Sequence, residues 1–160
     1  MTDQAPSPIA QALGRIPCGL YIVSSIQDGG HLGFVGSLLI QTGFEPPTVC
    51  VAIGKGRAAL DAVRRTGHFA VSILDGGSQK LMSPFFKPVE PGQSPFDGLA
   101  TQDAPSGCQV LEESLAWFDC KLAGEHAVGD HVVIFGEVTA GAQLHEGDPS
   151  VHLRKNGLGY

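Results

Sequence analysis

The stretch Thr48-Val-Cys-Val-Ala-Ile-Gly-Lys-Gly-Arg-Ala-Ala59 decides the fold, because it supports two incompatible readings. Its first six residues form a continuous apolar run rich in β-branched side chains, the mark of a strand. A helix is expected over residues 58–66, stopped by Gly67. The corner between them carries two glycines and two cations, Lys55 and Arg57. Backbone N–H groups at such a corner bind a phosphate, and flanking glycines let it approach closely. The plain alternative is a solvated loop with two charges. The same letters also match G-x-G-x-x-A, the fingerprint of dinucleotide-binding βαβ units, with Asp75 placed to contact a ribose.

The surroundings separate these readings. Upstream, residues 19–25 and 32–40 are β-rich runs joined by Asp28-Gly29-Gly30, a hairpin signature. Downstream come a strand over residues 69–74, a short helix over 79–86, and a stretch without clear period over 87–107. Two further strands are expected over 114–123 and 132–144, joined by Gly129-Asp130-His131. A helix over residues 9–14 opens the pattern, with Ser7 as cap and Pro8 in its first turn. A Rossmann-type dinucleotide-binding domain needs several more parallel crossovers than this chain offers. The expectation is a mainly β, antiparallel, closed or partly closed barrel with a few short helices.

The 160 residues suit a single domain spanning 1–160. Only 16% are charged against 42% hydrophobic, so part of the surface is expected to be covered by oligomerisation. A net charge of −6 gives no footprint for nucleic acid or an anionic membrane. No apolar run approaches the roughly 20 residues needed to span a bilayer. The first residues, Met-Thr-Asp-Gln-Ala-Pro, lack an export signal, and a cytoplasmic location follows as the default. Cys18, Cys50, Cys108 and Cys120 are widely spaced and read as buried thiols. No metal site is expected, because His31, His68, His126, His145 and His152 show no ligand grouping. Trp117 and the phenylalanines read as core, and no nucleophile elbow marks a hydrolase.

Several segments together resemble the flavin reductase-like family, whose members fold as FMN-binding split barrels. They are Ile16-Pro-Cys-Gly-Leu-Tyr-Ile-Val23, Gly36-Ser37, Gln41-Thr42-Gly-Phe-Glu-Pro-Pro47, Lys55-Gly-Arg57 and Gly67-His-Phe-Ala-Val-Ser-Ile-Leu74. Phe118-Asp-Cys-Lys121, Gly129-Asp-His131 and Gly136-Glu-Val138 follow in order. The closing Val151-His-Leu-Arg-Lys155 and Tyr160 are similar to the end of the flavin reductase domain of flavodiiron proteins.

The resemblance implies a cofactor, FMN or FAD, held in a cleft of a homodimer. It places Ser37, Gln41 and Thr42 at the flavin ring or ribityl chain, and Lys55 and Arg57 at the terminal phosphate. Lys87 would sit on a lid over the ring. His131 would lie near the ring or the incoming nicotinamide as the catalytic histidine, with Asp130 fixing its turn. The implied activity is reduction of flavin by NADH or NADPH through hydride transfer to flavin N5, serving a monooxygenase or another electron acceptor. The competing function is an electron carrier of flavoredoxin type that keeps its flavin and docks redox partners.

Overall fold

The computed structural model describes residues 6–159. Residues 1–5, with the reading of the first residues as lacking an export signal, and Tyr160 of the closing stretch lie outside the described residues.

Helix α1 (Pro8–Leu13) is capped by Ser7, whose hydroxyl accepts from the Ala10 N–H at 3.2 Å. The short β1 (Cys18–Gly19) precedes a hairpin of β2 (Tyr21–Gln27) and β3 (Gly30–Gly36). Its turn residues Asp28 and Gly29 both have positive φ, 51° and 78°, which matches the right-handed twist of paired strands. A second hairpin joins β4 (Leu39–Phe44) to β5 (Pro47–Gly54). Then come α2 (Ala58–Thr66) and β6 (His68–Ile73), with Gly67 ending the helix at φ 72°.

A 3-10 helix covers Gln79–Phe86, its α-helical geometry denied by Pro84. Beyond it, β7 (Thr101–Asp103) pairs with β8 (Gln109–Leu111). The long β9 (Ala116–Val128) and β10 (His131–Gln143) form the third hairpin of the main sheet. Last, β11 (Val151–His152) returns to pair with β1.

Seven strands make one sheet in the order β3-β2-β6-β9-β10-β5-β4, and every pair is antiparallel. Its two edges, β3 and β4, are joined by Ser37 and Leu38 alone. Three peptide units reach about 11 Å at most, so the edges must lie side by side. The sheet is therefore curled into a barrel whose seam, between β3 and β4, carries no ladder: a split barrel.

Inside it, α2 buries Ala59, Leu60, Ala62 and Val63 against β2, β3, β5 and β6. Alternation along β5 sends Val49, Val51 and Ile53 into the same core as Phe69 and Ile134. A second cluster, Leu20, Ile22, Leu74, Leu81 and Phe96, lies where the 3-10 helix and the following loop cover the outer face of β2. Two covered faces explain why β2 is buried continuously rather than alternately.

Several expectations are corrected. The Rossmann reading fails because β5, the strand before the glycine corner, is antiparallel to both neighbours. The Asp75 carboxylate is committed to Ser78 and His145. The run 32–40 is two strands on opposite edges, broken at the seam. The segment 87–107 is not structureless, since Phe96 anchors it in the second cluster and β7 lies within it. Strand β9 continues to Val128, well past residue 123. Among the phenylalanines, Phe34, Phe69 and Phe96 are buried, but Phe44 and Phe86 are exposed, and Trp117 is partly buried. All four cysteines are free thiols, and burial pushes the Cys120 thiol up to about 12.

Candidate functional site

The glycine corner stands where β5 and β10 end together, with Gly54 opposite His131 in the ladder. Gly56 turns the chain at φ 81°, and Arg57 occupies the cap position of α2 in extended geometry. No side chain caps this helix, so its first-turn N–H groups have no acceptor from the protein's side chains. The Arg57 guanidinium lies over the Phe34 ring, 5.5 Å from its centroid, which aims it without consuming its donors.

His131 is oriented from the other side. Its Nδ1 lies 2.8 Å from Asp130 Oδ1, which leaves Nε2 as the nitrogen free toward the corner. The same hydrogen bond holds the Asp130 carboxyl below its ordinary value. Arg57, His131 and Lys87 line one cavity of about 420 Å³, walled by Phe34, Val35 and Phe86. Three sequence-expected residues thus converge, from α2, from the β9–β10 turn and from the end of the 3-10 helix.

A second hollow of about 520 Å³ adjoins the first, sharing Val35 and Phe86 as wall. Its lining is mixed: Leu20, Met82, Val151 and Leu153 are apolar, while Gln79 and the strap residues His152, Arg154, Lys155 and Asn156 bring polar and cationic groups. Ser37 faces it from the seam, 5% exposed, with a buried Oγ that has no hydrogen-bond partner. An unpaired buried hydroxyl costs free energy, and Arg154 Nε of the strap is likewise buried without a partner. The strap is held at both ends: Ser150 N–H donates to Leu74 O at 2.8 Å, and Gly157 N–H to Ala10 O at 2.8 Å.

The remaining expected residues lie apart. Lys55 is exposed and its Nζ donates to Gly129 O at 2.7 Å, outside the cavity lining. On β4, Gln41 donates to Gly43 O at 3.1 Å and faces a separate groove with Tyr21 and Phe118. Thr42 is exposed, with its hydroxyl 3.5 Å from that of Thr48. Within one protomer neither reaches the two hollows. Sequence reasoning missed Phe34 and the strap as walls. Neither had a local signal, since both walls are assembled by packing between segments distant in the chain.

Residues 13–157 match the flavin reductase-like domain. The chain belongs to that family. Among curated relatives of this flavin reductase-like chain, diflavin flavoprotein A 1 of Synechocystis sp. is 35% identical over 156 residues, covering 96% of the chain but 27% of that protein. The chain spans about a quarter of the length of the curated relatives it matches first. Nitrilotriacetate monooxygenase component B from Mycobacterium thermoresistibile superposes with a TM-score of 0.82 at 26% identity, covering 92% of this chain and 81% of that one. Flavin reductase HpaC, solved with NADP+, gives a TM-score of 0.80 at 26% identity, with 92% of each chain covered. Both share the split barrel. Among the described residues no helix is long and apolar enough to cross a membrane, and no cluster of metal-ligating side chains occurs.

Proposed function

We propose that the chain is an NAD(P)H-dependent flavin oxidoreductase that binds FMN across the two hollows. The observation carrying this reading is the pair of adjoining hollows: a corner of three cationic or ionisable side chains meets a hollow of apolar and strap side chains in which Ser37 Oγ and Arg154 Nε are buried without partners. That set fits FMN, a planar ring system with a single terminal phosphate. The uncapped start of α2 and Arg57 would hold the phosphate, and Ser37 would meet a polar atom of the ring. FAD is the second candidate, since it carries the same ring system and a phosphate at the same end of its ribityl chain.

When bound, the flavin supplies the redox chemistry, accepting a hydride from the reduced nicotinamide at N5. The protein's part is to bind, orient and exclude water. Val35 and Phe86, together with Lys87 and Pro88, line the cavity and would help to shield a bound flavin from water. His131 Nε2 presents a hydrogen-bonding nitrogen to whatever enters there. No acid–base dyad is required for such a transfer, and both NADH and NADPH remain candidates as donor.

A homodimer is part of this reading. Exposed Ile40 and Phe44 on the edge strand β4, at 64% and 88%, are apolar surface that a second copy would cover. A two-fold interface above about 2,000 Å² is expected. A monomer mass in sedimentation at micromolar concentration would refute it.

The deciding experiment is anaerobic stopped-flow mixing of the FMN-loaded protein with NADH and, separately, NADPH. Bleaching of the flavin band within seconds supports a reductase. The curated relatives, of which this chain spans only a segment, favour a second reading, an electron carrier docked to a partner such as a monooxygenase or other acceptor. Reduction only by a protein partner would select it.

A further inference from the structure

Lys55 sits in the glycine corner yet stays out of the cavity. Beyond the Gly54–His131 ladder pair, the ties from the corner to the Gly129-Asp130-His131 turn run through it. The Lys55 N–H donates to Asp130 O at 2.9 Å, extending the β5–β10 ladder one rung past the Gly54–His131 pair. Its ammonium donates to Gly129 O at 2.7 Å. Gly129 itself turns at φ 54° and has open space around it, so no side-chain packing holds the turn from that side. What the latch positions is visible at Gly54. A methyl group there would lie 3.8 Å from Arg57 Nε and 3.9 Å from His131 Nε2, so the two nitrogens converge over one glycine.

We propose that Lys55 is a positioning residue, latching the 129–131 turn onto the corner so that His131 and Arg57 face one ligand, and that it is not itself a phosphate ligand. A lysine suits this task because its flexible stem brings a donor with three protons to a carbonyl without needing a planar partner. The latch makes one unit of two loops that are far apart in sequence. In terms of ligand, the proposal rests on the flavin reading above; as a statement about the fold, it stands on these hydrogen bonds.

The test compares Lys55→Met, Lys55→Arg and Arg57→Ala by two measurements. The first is amide hydrogen exchange over residues 54–57 and 128–132 in the ligand-free protein. Lys55→Met should exchange several-fold faster there, and Lys55→Arg, which keeps a donor, should restore slow exchange. The second is the ratio of FMN to riboflavin affinity, read by flavin fluorescence. This ratio should stay within about twofold in Lys55→Met and fall at least tenfold in Arg57→Ala. A collapse of the ratio in Lys55→Met to the Arg57→Ala level would show a phosphate ligand and overturn the proposal, as would unchanged exchange. If the unmutated protein binds neither flavin, the functional reading fails by itself, and the exchange data still decide the latch.

Discussion

The two hollows that meet at Val35 and Phe86 are built on opposite principles. The corner hollow is made of charges that hydrogen bonds and ring contacts aim: Arg57 by Phe34, His131 by Asp130, the turn by Lys55. The strap hollow mixes apolar walls with the polar and cationic side chains of the strap, and it holds two buried polar atoms without partners, Ser37 Oγ and Arg154 Nε. In the first, the protein has met its own polar requirements and offers surplus donors. In the second, it has left two requirements unmet. A site with both ends reads a charge at one and a plane at the other, and each end fails differently when altered.

The largest effect is expected at the charged end. Arg57→Ala should weaken FMN binding by about 1.5–3 kcal/mol, the scale of a lost charge-assisted hydrogen bond, and leave riboflavin nearly untouched. Equal affinity of the unmutated protein for FMN and riboflavin would erase the contrast between the two ends.

His131→Ala sharpens the comparison between binding and turnover. It should slow NAD(P)H-driven flavin reduction roughly tenfold, about 1.4 kcal/mol of barrier, with the melting temperature within a few degrees of the parent. Unfolding with normal activity in the folded fraction would make the histidine a structural residue instead.

Ser37→Ala probes the other end and has an unusual sign. Removing an unpaired buried hydroxyl relieves the ligand-free protein, so its melting temperature should hold or rise. Affinity for FMN and riboflavin should fall together, by about 0.5–1.5 kcal/mol. A loss confined to FMN would move Ser37 to the phosphate end.

The smallest effect concerns how the strap is anchored. Asp75 accepts from His145 and from Ser78, and these bonds, His145 first, hold its carboxyl well below the usual range. A depressed folded-state value gives stability that is present above the unfolded value, near pH 4, and is lost as pH falls further. Asp75→Asn should therefore lower the melting temperature at neutral pH, and the gap should narrow in acid below about pH 4. A gap independent of pH would assign the anchoring to the backbone bonds of Asp75 and Ser150 alone.

The corner was legible because local chemistry writes it in consecutive letters. Helix α2 begins and ends where the glycines and the apolar period place it, and Gly67 stops it in left-handed geometry. The strap hollow was not legible, because its walls come from residues 20, 35, 82 and 151–156, joined only by tertiary packing. The seam was hidden for a related reason. Residues 32–40 are uniformly β-prone, and nothing in that run reports that the barrel closes between Gly36 and Leu39. Gln41 and Thr42 were placed by resemblance, and β4 puts them on an outer edge, away from both hollows of the same protomer. The Rossmann alternative shows the converse limit, since six letters specify an anion-binding corner but not the direction of the neighbouring strands.

The seam has a consequence for how long a ligand stays. Val35, Gly36 and Ser37 run up to the seam and also line the two hollows, so a bound molecule would lie against the β3 side of it. Movement of that edge would then affect how readily the ligand leaves, and residence time becomes sensitive to the barrel's breathing. At a free ligand concentration a hundredfold above Kd, binding would stabilise the folded form as a whole by about 2.7 kcal/mol.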